Sequence, residues 1–294
     1  MMHQAVFIVS VPRSGSTVLT NMLDNYEDVL CLPETFFPGV MELADEAEWK
    51  DRRWMAALFL VSCSDGSPLS LDEAEACIEK DKQATLNSLA SAAAAKSGRD
   101  LSKLKTVVWK FTRMVGCWHS AAAMGGRFII LHRNPLNVYE SQFRVPFGDK
   151  NRNPARFALF ATSYDAAFSD YPAAQTLRLD YPEIPTSMPK LLEWIGSNGE
   201  RRDPTAAGMR GISGSRPWHT EIDKPFKNDD ASKLQNLSKP SVLLYQGARL
   251  LLSLFPFVAR KARTIADQRQ MQALRAQARE LLQRNDSPSH DSHE

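Results

Sequence analysis

One stretch near the start of the chain, Val6 to Leu23 (VFIVSVPRSGSTVLTNML), limits the possible folds more than anything after it. The apolar run Val6-Phe7-Ile8-Val9 lacks polar alternation, the pattern of a parallel strand buried on both faces. It enters a compact loop, Val11-Pro12-Arg13-Ser14-Gly15-Ser16-Thr17, and then a helical pattern through Val18, Leu19, Met22 and Leu23. A strand that runs through a small-residue loop into a helix N-terminus gathers free backbone N–H groups and the positive end of the helix dipole at one point. Gly15 lets the backbone come close, Ser14, Ser16 and Thr17 add hydroxyl donors, and Arg13 adds a cation. The expected ligand is a phosphate or sulfate ester.

The loop differs from a Walker A motif, G-x-x-x-x-G-K-[ST], in an informative way. Counting back from Gly15, Ser10 stands where the first Gly belongs and Ser16 where the Lys belongs; Thr17 alone fits the end of the pattern. Without that Lys the loop lacks a β/γ-phosphate clamp, which disfavours simple ATP or GTP hydrolysis. A second segment, Gly126 to Pro135, holds an apolar strand from Phe128 to Leu131 that ends in Arg133 and Pro135. A helical stretch from Leu136 to Phe143 follows and carries Ser141. Arg133 and Ser141 lie eight residues apart, so one can leave a strand tip while the other faces it from two turns into the next helix. A guanidinium fork and a hydroxyl at one point suit a terminal phosphate dianion.

Taken together, these segments resemble the sulfotransferases that use 3′-phosphoadenosine-5′-phosphosulfate as donor. Pro12-Arg13-Ser14-Gly15-Ser16-Thr17 is similar at every position to that family's 5′-phosphosulfate loop, P-[KR]-[ST]-G-[ST]-[ST], and Arg133 with Ser141 is similar to its 3′-phosphate motif. Cys31-Leu32-Pro33-Glu34-Thr35 resembles a segment of the branch that includes tyrosylprotein, carbohydrate and bacterial sulfotransferases. The likeness covers roughly residues 5 to 37 and 105 to 145. Pro33 and Asn134 depart from the branch pattern, where another small or acidic residue and an Asp are usual. The fold this implies is α/β: a P-loop-NTPase-like three-layer arrangement with a central parallel sheet flanked by helices.

The resemblance also implies roles. Glu34, just beyond a strand over Val29 to Leu32, takes the place of the general base that accepts the proton of the acceptor hydroxyl. Arg13 takes the place of the cation on the bridging oxygen, and Lys110, at the end of the strand Val107 to Phe111, helps to hold the developing charge. The donor-binding set is Arg13, Ser14, Gly15, Ser16, Thr17, Arg133 and Ser141. Arg210, Ser215 and Arg216 join it from a Gly/Ser/Arg-rich loop over residues 208–219. No metal is expected, because Arg and Lys offset the charge that magnesium handles in a kinase. His119 is an alternative base, and His132, beside Arg133, reads as structural.

Composition fits one soluble α/β domain. With 43% hydrophobic residues over 294 positions the chain can build a sizeable core, and a net charge of +2 gives no reason to invoke nucleic acid. Cys31, Cys63, Cys77 and Cys117 are scattered without C-x-x-C pairs, which suggests neither zinc nor a disulfide framework. The first strand starts by about Ala5, so no signal peptide or N-terminal membrane anchor is expected. Eukaryotic Golgi members of the family it resembles carry such an anchor, so the resemblance implies a cytoplasmic, bacterial enzyme.

Residues 39–105 read as a helical insertion, with Ser70 capping one helix and Ala90 to Lys96 inside another; the resemblance implies that it shapes the acceptor pocket, and a scaffold role fits the sequence equally. Phe157, Phe160, Tyr164 and Phe168 mark one apolar helix face, Leu177 to Tyr181 a short strand, and Leu191 to Ile195 a further helix. The α/β domain is expected over 1–240, an apolar and basic helical extension over 241–284, and a disordered tail over 285–294. Within the extension, Ser241 to Val258 is strongly apolar but broken by Arg249 and Pro256, and a run of arginines follows. Such a pair either packs on the domain, forms a homodimer contact or touches a membrane peripherally. The leading function is transfer of a sulfuryl group to a hydroxyl of a carbohydrate, lipid or small metabolite. The competing readings are a small-molecule kinase on a related fold and an inactive nucleotide-binding scaffold.

Overall fold

A computed structural model describes residues 3–64, 66–142, 152–201, 228 and 230–286. Its first half alternates strand and helix, with β1 (Gln4–Ser10), α1 (Ser16–Leu23), β2 (Val29–Leu32) and five consecutive helices. These are α2 (Phe37–Leu43), α3 (Glu46–Lys50), α4 (Arg52–Ser62), α5 (Leu71–Cys77) and α6 (Lys82–Lys96). Then come β3 (Thr106–Phe111), α7 (His119–Ala123), β4 (Arg127–His132), α8 (Pro135–Gln142), α9 (Pro154–Phe168), β5 (Thr176–Asp180) and α10 (Ile184–Ile195). The chain ends in α11 (Asp230–Gln235), α12 (Lys239–Leu254) and α13 (Pro256–Asp286).

Among the described residues the five strands form one parallel sheet in the order β2-β3-β1-β4-β5. Val6, Phe7, Ile8 and Val9 are fully buried, as their unbroken apolar run requires of a central strand. Phe7, Val9, Leu30, Trp109, Phe111 and Ile130 point to one face, which the helical insertion, α9 and α13 cover. Val6, Ile8, Cys31, Val108 and Ile129 point to the other, against α1 and α10. The molecule is therefore the expected α/β three-layer arrangement.

The insertion follows the caps in its sequence. Ser70 accepts from the Glu73 N–H while Glu73 reaches back to Ser70, a reciprocal capping box, and Asp81 caps α6 by accepting from Ala84. On α9, Phe157, Tyr164 and Phe168 are buried, and Tyr164 Oη donates to the Thr112 carbonyl. The C-terminal reading needs two corrections. Arg249 does not interrupt the apolar helix: it lies inside α12 and pairs with Asp165 on α9 at 3.1 Å, so its charge is met laterally. The break falls at Phe255-Pro256, where the chain bends by 100°. Helix α13 also runs through Asn285 and Asp286, the start of the expected disordered tail; residues 287–294 lie outside the described residues.

Candidate active site

Because β1 is flanked by β3 and β4, the loop after β1 opens at the centre of the sheet's carboxyl edge, with the ends of both neighbours beside it. That loop is held by unusual backbone. Gly15 has φ +96° at the N-cap of α1, and a Cβ there would collide with the ring of Tyr181. Arg13, with a side chain, also takes a positive φ of 77°, a conformation costly enough to need support. The support comes from Arg133, whose Nη1 donates to the Arg13 carbonyl at 3.2 Å. No side chain caps α1. Ser14 and Ser10 are buried, and their Oγ atoms make no hydrogen bond among the described residues.

Two guanidinium groups converge above this loop. Arg13 Nε donates to Ser141 Oγ at 3.4 Å, which draws α8 onto the loop. Burial, reinforced by the charge of Arg133, lowers the pKa of Arg13. Arg133 stacks on the Tyr181 ring, its guanidinium carbon 4.0 Å from the centroid, and its Nε donates to Asp230 Oδ1 at 2.9 Å. Its Nη2 donates to the same carboxylate oxygen. Arg133 and Ser141 thus meet through Arg13, at one edge of the loop.

On the other edge, Lys110 is a buried side chain on an inner strand. It shares the β3 face of Val108, the α1 side, and its Nζ donates to Thr17 Oγ1 at 3.0 Å. The cation missing from position 16 of the loop motif is therefore supplied from the neighbouring strand. Lys110 also pairs with Glu34 at 3.0 Å. Glu34 is placed by its own backbone. The Thr35 N–H continues the β2–β3 ladder to the Lys110 carbonyl at 3.0 Å, and the Glu34 carbonyl accepts from Ser64 at 3.0 Å. Thr112 Oγ1 donates to Glu34 Oε1. Burial pushes the Glu34 carboxyl up, but Lys110, Thr112 and Arg113 together hold it below its ordinary range. Its side chain retains 15% exposure, so it stays reachable from solvent.

Arg13, Ser14, Gly15, Ser16, Thr17, Glu34, Lys110, Arg133 and Ser141 are brought to one sheet edge by these contacts. Arg210, Ser215 and Arg216 lie outside the described residues. His119 is engaged elsewhere: it bonds Glu42 on α2 at 2.8 Å and stacks on Trp118. His132 pairs with Asp180 at 3.0 Å across the ends of β4 and β5. Three residues of the site escaped the sequence reading. Thr112, two positions after Lys110, has a hydroxyl that only the strand end aims at Glu34. Tyr181 reads in sequence as the last residue of a strand, and nothing in the sequence around Asp230 marks it out. No group of three or more His, Cys, Asp or Glu with metal-binding geometry occurs among the described residues.

A family model described as "Sulfotransferase family" matches residues 5–196. No curated protein matches the chain by sequence. Among solved structures, the chain is similar to the sulfotransferase domain from the curacin biosynthetic pathway, at 19% identity and a TM-score of 0.48 over 85% of this chain and 98% of that one. It is similar to the sulfotransferase domain of the Synechococcus PCC 7002 olefin synthase, at 17% identity and a TM-score of 0.45 over 84% and 95%. A sulfotransferase from Alicyclobacillus acidocaldarius aligns at 12% identity and a TM-score of 0.41 over 85% and 96%. With the family match spanning well over half of its length, including the loop after β1, Glu34, Lys110, Arg133 and Ser141, the chain belongs to the sulfotransferase family.

Proposed function

We propose that the protein moves a sulfuryl group from 3′-phosphoadenosine-5′-phosphosulfate to a hydroxyl of a carbohydrate, lipid or small-metabolite acceptor, with Glu34 as general base. The observation that carries this reading is the Glu34–Lys110–Thr17 chain beside a loop that ends in an uncapped helix. A base, a cation and a phosphate cradle stand within hydrogen-bond reach of one another. The residues fit a donor with two anionic ends. Orphaned hydroxyls at Ser10 and Ser14, and a guanidinium at Arg13 whose pKa is lowered by burial and by the charge of Arg133, all favour anions in this space.

The donor supplies an activated sulfuryl group and a phosphate leaving group. Ser14, Gly15, Ser16 and Thr17 hold its 5′ end, and Arg133 with Ser141 holds the 3′-phosphate. Glu34 accepts the proton of the acceptor hydroxyl as its oxygen attacks sulfur. Arg13 and Lys110 stabilise the charge that develops on the departing phosphate oxygen. While Lys110 rests on Glu34, the carboxylate is a weak base; drawing Lys110 towards the donor's anionic groups frees it to take a proton.

The test is transfer of labelled sulfur from the donor to a panel of glycan, lipid and phenolic hydroxyls. Glu34→Gln is expected to reduce turnover by about 10²- to 10⁴-fold and leave binding of 3′-phosphoadenosine-5′-phosphate nearly unchanged. Undiminished turnover in Glu34→Gln rules out the base assignment.

A further inference from the structure

The largest feature that this chemistry does not use is the outer face of α12. The helix lies on α9 through Tyr245, which is buried, with Ala248 and Leu252 packed beside it. Its opposite face carries Leu243, Leu244, Leu250, Leu251 and Leu254, each between 51% and 68% exposed. Residues 243, 247, 250 and 254 follow one another at helical spacing, so these leucines form one stripe and not scattered singles. At the elbow into α13 the stripe continues in Phe255 and Phe257, 52% and 66% exposed. Seven large apolar side chains on one surface exceed what an ordinary monomer leaves uncovered.

The charge around the stripe selects what covers it. Residues 239–286 hold nine Lys or Arg against three Asp or Glu. Arg249, Arg260 and Arg275 are paired with Asp165, Asp170 and Glu48, which fastens the two helices to the domain, and Arg263 is paired with Asp267 within α13. Lys261 is exposed and stands one turn beyond Phe257, with Ile265 one turn further, so a cation lies between apolar residues on one face of α13. Two copies meeting through this surface would bring like charges together. Among the described residues no single helix is long and apolar enough to cross a membrane, and the α12–α13 pair is bent by 100°. The remaining complement is a surface with apolar depth and negative headgroups.

We infer that the outer face of α12 and the α12–α13 elbow dock peripherally on an anionic lipid surface, with the leucine stripe and the two phenylalanines entering the acyl boundary and Lys261 at headgroup level. A groove lined by Asn134, Leu136, Tyr245, Gln246, Arg249 and Leu250 begins next to Arg133 and runs onto α12, so the docked surface lies beside the site.

The inference stands apart from the donor reading and is tested separately from it. Full-length protein is co-sedimented with phosphatidylcholine vesicles and with vesicles containing ~30% phosphatidylglycerol, at low and high salt, alongside sedimentation velocity of the protein alone. The variants are Leu250→Glu/Leu254→Glu and Lys261→Glu. The wild type is expected to bind the anionic vesicles, to bind less in high salt, and to lose about tenfold or more of that binding in the double leucine variant. Lys261→Glu is expected to weaken binding to anionic vesicles only. The substituted positions are exposed, so the circular dichroism spectrum and bisphosphate affinity should be unchanged, and this controls for folding. Vesicle binding that survives the double substitution overturns the inference. So does absence of vesicle binding, whether the protein is a monomer or a dimer that the leucine substitutions split; the latter assigns the stripe to a second copy.

Discussion

Glu34 is the residue whose surroundings are most specific. It is held by Lys110 at 3.0 Å and by Thr112, and its folded-state pKa lies below the ordinary value. A carboxyl depressed on folding stabilises the native state fully above its unfolded pKa, about 4.3 for Glu. The stabilisation is lost as pH falls through the lower folded value. The unfolding free energy of the wild type relative to Glu34→Gln should therefore be constant near neutrality and shrink on acidification below that point. Chemical denaturation across pH measures it, and a difference that grows in acid contradicts the assignment. Asp230 gives a second prediction. Its carboxylate takes the Arg133 fork that a terminal phosphate would use, so Asp230→Asn should tighten bisphosphate binding by about tenfold in calorimetry. Weaker binding would make Asp230 a positioning residue for Arg133. At this scale, the convergence of Arg13, Glu34, Lys110, Arg133 and Ser141 on one sheet edge was legible because the motifs that carry the resemblance hold them near strand ends. Thr112, Tyr181 and Asp230 were not, since their parts depend on which neighbours the strand order brings to them.

Among the elements, the turn into α1 tolerates least. Gly15→Ala would force a positive φ on a residue with a Cβ and drive that carbon into the Tyr181 ring, which also carries Arg133. We expect a loss of about 1–3 kcal/mol in stability, seen as a lower melting temperature, together with weakened bisphosphate binding. A variant with wild-type affinity would separate this turn from the donor site. Helix α13 is fastened from beneath by the buried Arg263–Asp267 pair, whose Asp267 Oδ2 also accepts from the Gly116 N–H at 3.1 Å. Asp267→Ala strands the buried Arg263 charge and should cost about 3–5 kcal/mol. Replacing both partners by apolar residues should cost distinctly less, and equal losses in the two variants would deny the pair this role. The short apolar strands, and the capped helices of the insertion such as α5 and α6, could be read from the chain because their signals are local. The pairing of Arg249 with Asp165 was not, because it depends on α12 lying against α9.

For the whole molecule, the strand order matters more than any one motif. Placing β1 between β3 and β4 puts Lys110 and Arg133 on opposite sides of the same loop, although they are 23 positions apart in sequence and far from Thr17 and Arg13. Two cationic flanks of one loop are thus assembled from three crossovers, a consequence of topology that the motif spacing only suggests. The apolar composition of α12 was equally visible in the chain, but which of its faces would be covered was not, because that depends on how it seats on α9. The account rests on the sheet edge being a bisphosphate site. Calorimetric titration of 3′-phosphoadenosine-5′-phosphate and of ATP with magnesium, into wild type and Arg133→Ala, tests it most directly. The account predicts tight bisphosphate binding that falls by about two orders of magnitude in Arg133→Ala, as loss of a charge-assisted fork implies, with ATP bound weakly or not at all. Preferential binding of ATP with magnesium, insensitive to Arg133→Ala, would contradict it and favour a kinase.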